Sequence, residues 1–329
     1  MAEYIVKRVV VAFLTILLIM TITFLLMNAV PGSPFMTEKS TPEMIARANA
    51  KYGLDKPLIV QLWNYIKNYL QGDLGTSLKM QEGTSVRKII FEEGKFALSF
   101  KLGVWAVVVA VIIGVPLGCL AAYNRGRALD SFLRVVTTLG VAVPSFVLCS
   151  ILLIYLSVKL QWLPVISGSL DSWKSYIAPV IGLSFYPMCY VAKLTRTSML
   201  DAINQDYIRT ARAKGLGERT VIWKHVFKNA LIPILTMVGS SLGNCLAGSV
   251  LVEMIFNIPG MGMLMNSSIM SKDFITVQSC ILICAFVVAI ANLLTDLAYA
   301  FVDPRIRAQY SSQSSRKKKL PATAVPKEA

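Results

Sequence analysis

Residues 102–122 read LGVWAVVVAVIIGVPLGCLAA and contain no charged side chain. A helix of about 20 predominantly apolar residues is long enough to cross the hydrocarbon core of a bilayer. Five further apolar stretches lie along the chain, namely Val9–Val30, Val135–Val158, Tyr176–Ala192, Ala230–Val252 and Phe274–Leu294. Because only a helix satisfies its backbone hydrogen bonds within one segment in lipid, the sequence predicts six transmembrane helices.

The composition agrees with a membrane protein. The chain has 329 residues, of which 55% are hydrophobic and 16% are charged, and its mean hydropathy is +0.60. A soluble domain usually carries about a quarter charged residues. The composition therefore excludes a disordered chain, a nucleic-acid-binding module and an ordinary cytosolic enzyme. All six cysteines fall within the predicted spans, where we interpret them as small apolar core residues.

The basic residues, which give the chain a net charge of +15, indicate its orientation. They concentrate at the N-terminus, after the second span, in residues 193–229 and in the tail 305–329. The alternate short loops contain only Lys159, Lys174 and Lys272. The positive-inside rule therefore predicts that both termini lie in the cytoplasm. The first apolar run is too long for a cleaved signal peptide, so we interpret it as a retained signal-anchor helix.

Motifs for self-energised transport or catalysis are missing from the sequence. It contains no glycine-rich phosphate-binding loop for ATP, and a single histidine, His225, excludes a histidine-based triad. Lys101, Glu253 and Asp296 lie near span ends, whereas a proton-coupled carrier usually keeps charged residues at the bilayer midplane. We interpret Glu253 as structural and Asp296 as the partner of a nearby basic side chain.

Residues 31–96, between the first two spans, contain two predicted helix starts, at Thr41-Pro42-Glu43 and at Asp55-Lys56-Pro57. After the second start, apolar residues recur every four positions, at Leu58, Leu62, Ile66 and Leu70. The spacing predicts an amphipathic helix that ends at Gly72 and packs on the outer ends of the spans. A docking role and an inert position on the membrane surface both remain open for this helix.

The cytoplasmic segment 193–229 divides at Gly215-Leu216-Gly217. Before this break, apolar residues occur at helical spacing at Leu200, Ile203, Tyr207 and Ala211, and after it they occur at Ile222, Val226, Ala230 and Pro233. Two glycines two positions apart allow a sharp reversal of the chain. The pattern predicts a helix, a glycine turn and a second helix, which is typical of a packed lid or docking element rather than a solvated loop.

Residues 200–228 resemble the signature loop of the permease subunits of binding-protein-dependent ATP-binding cassette (ABC) importers. The family positions are occupied by Leu200, Arg209, Thr210, Ala211, Gly215, Leu216, Ile222, Phe227 and Lys228. The founding version of the loop reads Glu-Ala-Ala, where this chain has Arg-Thr-Ala. Residues 209–215 match the Arg-Thr-Ala-Arg-Ala-Lys-Gly form that is common in the peptide branch.

The resemblance extends over about residues 5–307 and points to the peptide/nickel branch, as the first permease of the usual pair. Its further motifs are Ile5–Pro34, Gly53–Pro57, Gly72–Gly75, Asn229–Pro233, Val252-Glu253, Pro259–Gly262 and Val302–Arg307. This resemblance implies an all-α integral membrane protein with a type I ABC importer permease (MetI-like) core, six transmembrane helices and both termini inside. We expect a first helix within 1–30, an extracytoplasmic helical segment 31–96, a five-helix core 97–304 with coupling loop 193–229, and a basic disordered tail 305–329.

The implied function is the ATP-driven uptake of oligopeptides or dipeptides through the bacterial or archaeal cell membrane. The implied partners are a second permease in a heterodimer, two ATPase subunits that bind ATP and Mg, an extracytoplasmic solute-binding protein and membrane lipid, without nucleic acid. This chain would bind no cofactor or metal and would not be an enzyme. A nickel or other small-ligand importer of the same branch remains an alternative, as does a scaffold or sensor that binds an ATPase without transport.

The resemblance implies an ATPase-coupling role for a set of loop residues, namely Arg209, Ala211, Ala213, Lys214, Gly215, Leu216, Gly217 and Glu218. We expect the translocation pathway to be lined by small and polar span residues. The candidates are Thr137, Thr138, Ser145, Ser184, Ser240, Ser241 and Asn244. Small residues are also enriched where membrane helices pack together, so each candidate has helix packing as its alternative role.

Overall fold

The computed structural model describes residues 2–29, 55–164 and 172–302, and helices dominate these ranges. The helices are α1 (Ala2–Ala29), α2 (Leu58–Leu70), α3 (Lys95–Tyr123), α4 (Ala128–Ala142), α5 (Ser145–Leu152), α6 (Lys174–Ile203), α7 (Asp206–Ala213), α8 (Glu218–Thr220), α9 (Lys228–Phe256), α10 (Met261–Met270) and α11 (Phe274–Val302). Short π-helical stretches are Lys88–Glu92, Leu153–Lys159, which continues α5, and Val221–Phe227, which joins α8 to α9. The predicted helix start at Thr41 and the tail 305–329 lie outside the described residues.

Within the described ranges, five helices are long and apolar enough to cross a membrane. They are α1, α3, α6, the continuous helix that begins at Glu218, and α11. These five coincide with five of the six predicted spans. Helix α6 stays continuous although Pro179 and Pro187 lie inside it. Prolines are tolerated in transmembrane helices because neighbouring groups satisfy the freed carbonyls.

The remaining predicted span, Val135–Val158, is wrong as a single helix. Helix α4 ends at Ala142, and the segment Ser145–Lys159 leaves it at an angle of 98°. The bend lies at Val143, whose backbone is extended (φ −76°, ψ 121°), and at Pro144, which precedes the first residue of α5. The residue before a proline is disfavoured in the helical region, and proline itself has no N–H to continue the ladder.

A second bend separates the end of α9 from α10, with an angle of 85° between Ser249–Phe256 and Met261–Met270. Asn257 ends α9 in the left-handed conformation (φ 54°), and Pro259 follows two residues later. Helix α10 therefore runs across the ends of the long helices, where it packs between α9 and α11.

The long helices pack through a shared apolar core and through small residues. Leu102, Cys149, Leu183 and Val252 are buried in one cluster that joins α3, α5, α6 and α9. Helix α3 approaches α6 closely at two glycines. A Cβ atom on Gly114 would lie 2.7 Å from the carbonyl oxygen of Met188, and one on Gly118 would lie 2.5 Å from that of Ala192. Small residues at such crossings let membrane helices pack backbone to backbone.

The cysteines take part in this packing, as the sequence predicts. Five of the six are buried and Cys284 is half-buried, and all are free thiols. The Cys189 sulfur fills the space opposite Gly140, and the Cys149 sulfur does the same opposite Gly182. Within the described residues, no group of three or more potential metal ligands comes together.

The predicted amphipathic helix is present as α2, and it lies against the ends of two spans. The ring of Tyr65 is 5.4 Å from that of Phe24 near the end of α1. The Tyr69 hydroxyl is 2.6 Å from the Ser279 hydroxyl near the start of α11. These contacts fix α2 at the end of the bundle opposite to the loop between α6 and α9.

Candidate functional site

The loop between α6 and α9 contains the residues that the sequence singles out for coupling. Helix α6 ends at Ile203, and Asn204-Gln205 form a turn before α7 begins at Asp206. The sequence pattern predicts one helix through Leu200 and Ala211, so this interruption is a correction. It arises at Gln205, whose extended backbone (φ −78°, ψ 149°) takes the N-cap position of α7. We call residues 204–218 the cytoplasmic tip.

The predicted glycine turn is present, and Gly215 makes it. Gly215 has φ +76°, a left-handed conformation that residues with a Cβ avoid. Its N–H donates to the carbonyl of Arg212 at 2.9 Å, and the N–H of Leu216 donates to that of Ala211 at 3.4 Å, which closes the end of α7. Gly217 has an ordinary φ of −61°. Only the first of the two glycines is therefore required by the backbone.

An ion pair links the two sides of this turn. Arg212 donates from Nη2 to Oε1 of Glu218 at 2.6 Å and from Nε to Oε2 at 3.2 Å. The side chains remain 43% and 55% exposed, so the pair lies on the surface of the tip. A bidentate arginine–carboxylate pair fixes orientation as well as distance. It therefore holds the end of α7 against the start of α8.

The inner face of the tip is part of a buried apolar cluster. Ile208 on α7 and Val221 and Val226 after α8 are fully buried, and Ala211 is nearly so. They pack with residues of α3 and α6 that include Cys119, Ala122, Met199 and Ala202. The tip is therefore attached to α3, α6 and the start of α9, and a displacement of the tip would act on all three.

The outer face of the tip is exposed, and it carries seven of the eight predicted coupling residues. These are Arg209, Ala213, Lys214, Gly215, Leu216, Gly217 and Glu218. Arg209 is 78% exposed, and a Cβ atom on Gly215 or Gly217 would meet no atom within 4 Å. The eighth, Ala211, faces the buried cluster. The structure thus separates an anchoring face from a face that is available to a partner.

A cavity of about 470 Å³ opens beside the Pro144 bend, between α4, α5, α6 and α9. Of the seven predicted pathway residues, four line it, namely Ser145, Ser240, Ser241 and Asn244. We call this space the pathway cavity. Its walls also include Tyr186 and Tyr190, whose rings lie 6.3 Å apart. A search for small polar residues does not select the two tyrosines, whose rings are large.

The other three predicted pathway residues lie elsewhere. Ser184 is buried, and its hydroxyl donates to the carbonyl of Ile181 at 3.1 Å. Thr137 is also buried, with its hydroxyl 2.8 Å from the carbonyl of Leu133. Thr137 and Thr138 line a smaller, separate cavity beside the middle of α4. The small-residue pattern therefore combined two cavities and a packing position.

Two of the three ionisable residues near span ends, Glu253 and Asp296, have structural partners, as the sequence predicts. Glu253 is fully buried. It accepts hydrogen bonds from the Ser99 hydroxyl at 2.6 Å and from the N–H of Met263, in the first turn of α10, at 3.0 Å. It thereby satisfies the start of α10 and fixes the second bend. Asp296 pairs with Arg8 of α1 at 3.1 Å.

These features define a multi-pass, all-helical membrane protein that has a cavity with several polar groups among its spans and an anchored loop exposed at one end. Residues 114–308 match the family described as binding-protein-dependent transport system inner membrane component. Residues 1–82 match the N-terminal part of the corresponding membrane components. The chain belongs to this family of membrane transport subunits.

Relatives match over nearly the whole chain. It is 38% identical over 307 residues to the dipeptide transport system permease protein of Lactococcus lactis, which covers 93% of this chain and 100% of that protein. It is 35% identical over 308 residues to the oligopeptide transport system permease protein of Haemophilus influenzae, with cover of 93% and 100%. The glutathione transport system permease protein of Salmonella typhimurium is 36% identical over 312 residues, with cover of 93% and 99%.

Proposed function

We propose that this chain forms half of the translocation pathway of an ATP-driven importer that takes up peptides. Three relatives are named for the transport of a dipeptide, an oligopeptide and glutathione. All three ligands consist of amino acids joined by amide bonds, and this observation carries the proposal of a peptide ligand. A nickel or other small-ligand importer of the same branch is the alternative. A membrane scaffold or sensor that binds an ATPase without transport is a second alternative.

The proposed assembly contains this chain, a second permease, two ATPase subunits and an extracytoplasmic solute-binding protein in a bacterial cell membrane. The chain itself is a non-catalytic subunit without a cofactor, and ATP and Mg bind to the ATPase subunits. Its sequence supports this division of labour, because it contains no phosphate-binding loop of the usual ATPase type.

Coupling in this proposal is the transmission of a rigid-body movement. The exposed face of the cytoplasmic tip, with Arg209, Lys214 and Leu216, docks on an ATPase subunit. When ATP closes the ATPase pair, the docked tip moves with it. Ile208 and Val226 are fully buried beneath the tip, so they carry the movement into α6 and α9. Close packing supports this transmission because a packed core resists gradual deformation. The difference in free energy between the two states of the pathway comes from ATP.

The pathway cavity is the proposed route of the ligand through this subunit. Its walls offer hydroxyl and amide groups from Ser240, Ser241 and Asn244, together with two tyrosines. No lysine, arginine, aspartate, glutamate or histidine is among its lining residues in the described part of the chain. Such a wall hydrogen-bonds to peptide groups without selecting for the charge of the ligand's side chains, which leaves that selection to the binding protein.

The first test is the purification of the tagged chain from its native membrane in mild detergent, with mass spectrometry of the proteins that co-purify. The proposal expects one similar permease, one or two kinds of ATPase and a binding protein that carries a peptide. A binding protein that carries nickel would favour the alternative ligand. Repeated recovery of the folded chain by itself would contradict the importer assignment.

The second test concerns the cavity, in the assembled importer and in a background without the native cysteines. Asn244→Cys is expected to react with a water-soluble thiol reagent at a rate that changes when ATP is added. Ser184→Cys is the matched control, because Ser184 is buried outside the cavity and should stay unreactive in both states. Equal labelling of Asn244→Cys with and without ATP would remove this cavity from the pathway.

A further inference from the structure

A second, smaller cavity of about 120 Å³ lies between α3, α4 and α6, beside the middle of α4. Three basic side chains line it, namely Arg134 of α4 and Lys193 and Arg196 of α6. Its remaining wall includes the apolar Leu117 and Leu133. We call it the basic cavity. It combines a cationic rim with an apolar wall, which matches the two parts of a phospholipid.

One of the three cations is neutralised within the protein. Arg196 donates to Asp130 at 2.6 Å from Nε and at 2.9 Å from Nη2, and the Asp130 side chain is 1% exposed. This carboxylate also accepts from the N–H of Gly126 at 3.0 Å. The pair joins α4 to α6, and it fixes the two helices that carry Arg134 and Lys193 relative to each other.

The two other cations are available to an external anion. Among the described residues, neither Arg134 nor Lys193 forms an ion pair. The Arg134 guanidinium donates a long hydrogen bond, of 3.3 Å, to the Ser131 hydroxyl. Both residues are exposed, and Thr138, which carries a hydroxyl group, lines the same cavity. Two positive charges beside a hydroxyl group suit a phosphate group.

The location of the cavity favours a lipid phosphate. It lies at the end of the spans where the basic loops concentrate, which the positive-inside rule assigns to the cytoplasm. Basic pockets between transmembrane helices on that side bind the head groups of anionic lipids. Leu117 and Leu133 add an apolar wall beside these basic side chains.

We propose that the basic cavity binds the phosphate group of an anionic phospholipid of the cytoplasmic leaflet, with Arg134 and Lys193 as its charged contacts. The ligand chemistry is a phosphate anion, and the amphipathic shape of the cavity assigns it to a lipid. Because α6 leads directly into the cytoplasmic tip, a lipid bound here would contact the helix that the tip moves.

The test measures lipid retention by the purified, intact importer with native mass spectrometry. Phosphatidylglycerol is compared with phosphatidylethanolamine of the same acyl chains. A basic residue near a membrane surface contributes about 1 kcal/mol to the attraction of anionic lipid, so each substitution should weaken retention about five-fold. The double variant Arg134→Ala/Lys193→Ala should therefore lose its preference for phosphatidylglycerol. The charge-conserving Arg134→Lys/Lys193→Arg variant should keep it.

Arg125→Ala is the matched control, because Arg125 is exposed in the turn between α3 and α4 and does not line the cavity. Equal retention by the double variant and the unchanged importer would overturn the proposal. An equal loss of lipid retention in Arg125→Ala would also overturn it, since retention would then depend on general surface charge. Displacement of the lipid by millimolar inorganic phosphate would show that free phosphate is the ligand. Co-purification of the partner subunits with each variant shows that it has folded.

Discussion

The cytoplasmic tip and residues 72–85, which lie at the opposite end of the bundle and which we call the outer hairpin, are attached to the same bundle in different ways. Each contains a left-handed glycine shortly after the end of a helix, Gly215 after α7 (φ +76°) and Gly72 after α2 (φ +80°). The hairpin is held by a buried carboxylate, whereas the polar link of the tip is exposed and its anchor is apolar. This difference in attachment indicates that the outer hairpin is part of the scaffold, whereas the outer face of the tip stays exposed.

The buried carboxylate of the outer hairpin belongs to Asp273, just before α11. It accepts from the Ser77 hydroxyl at 2.5 Å and from the N–H of Met80 at 3.3 Å. Burial acts to raise the pKa of Asp273, but the hydrogen bonds from Ser77 and from backbone N–H groups outweigh it and hold the pKa below its ordinary value. The carboxylate is therefore ionised at neutral pH, and it ties the hairpin to the start of α11.

Tyr69 adds a second polar link on the same side. Burial raises its pKa to about 12, although the hydrogen bond with Ser279 opposes that shift. The phenol therefore keeps its proton at neutral pH. The Ser279 hydroxyl also lies 3.1 Å from the carbonyl of Leu74. Helix α2, the hairpin and α11 thus share one hydrogen-bonded cluster, and the cytoplasmic tip has no buried polar counterpart among the described residues.

The largest effect is expected from Gly215→Trp. The substitution places a large ring on the exposed face of the tip and a Cβ in the left-handed region, at a backbone cost of about 1–2 kcal/mol. We expect normal insertion into the membrane and loss of ligand uptake, because an ATPase could no longer seat on the tip. Uptake by cells or proteoliposomes measures the loss, and membrane fractionation measures insertion.

Gly72→Trp is the matched control, because it has the same left-handed backbone, also follows the end of a helix and has no atom within 4 Å of its added Cβ. It should retain uptake. Equal loss in both variants would mean that backbone strain, and not docking, explains the result. Normal uptake by Gly215→Trp would contradict the coupling role of the tip.

A smaller effect is expected from Asp273→Asn in the outer hairpin. The amide replaces an ionised acceptor that Ser77 and the backbone require, and hydrogen bonds to charged groups contribute about 1.5–3 kcal/mol. Protease digestion of the hairpin should accelerate while the cytoplasmic tip keeps its protection. Glu82→Gln, an exposed change in the same hairpin, should leave the digestion rate unchanged, and an unchanged rate in Asp273→Asn would refute the anchoring role.

The same anchor has a defined pH dependence. Because the pKa of Asp273 is lowered in the folded state, its stabilising contribution is complete above the ordinary value of 3.8 and is lost as the pH falls below it. The unchanged hairpin should therefore keep its protease resistance from neutral pH down to about 4, on the scale of ordinary aspartate pKa values.

Five spans could be predicted from the sequence because, in lipid, a long apolar run satisfies its backbone hydrogen bonds within one segment only as a helix. The bend at Pro144 could not be predicted, because Pro116, Pro179 and Pro233 lie inside helices that continue through them. Whether a proline breaks a span depends on whether neighbouring helices satisfy the freed carbonyls. That information is tertiary, and it is absent from the local pattern.

The two candidate sites differ in the same way. The tip could be predicted because its turn depends on one residue, Gly215, and on apolar spacing within a short segment. The pathway cavity depends on the Pro144 bend, which brings Ser145 to the same space as Asn244 on α9. Spacing along a single helix cannot show that residues of two helices line the same cavity. For this reason the sequence pattern does not separate Thr138 from residues of the other cavity.

The smallest effect is expected from the surface pair Arg212 and Glu218. An exposed ion pair contributes about 0.2–1 kcal/mol, and salt screens it. Arg212→Ala and Glu218→Ala should each lower uptake slightly, and the double variant should lower it no further than the larger single change, since the pair acts as one unit. The loss of uptake in each variant should shrink at high ionic strength, because salt already screens the unchanged pair. Losses that simply add would show that each side chain contacts the ATPase independently, and the turn would then be closed by Gly215 and the backbone alone.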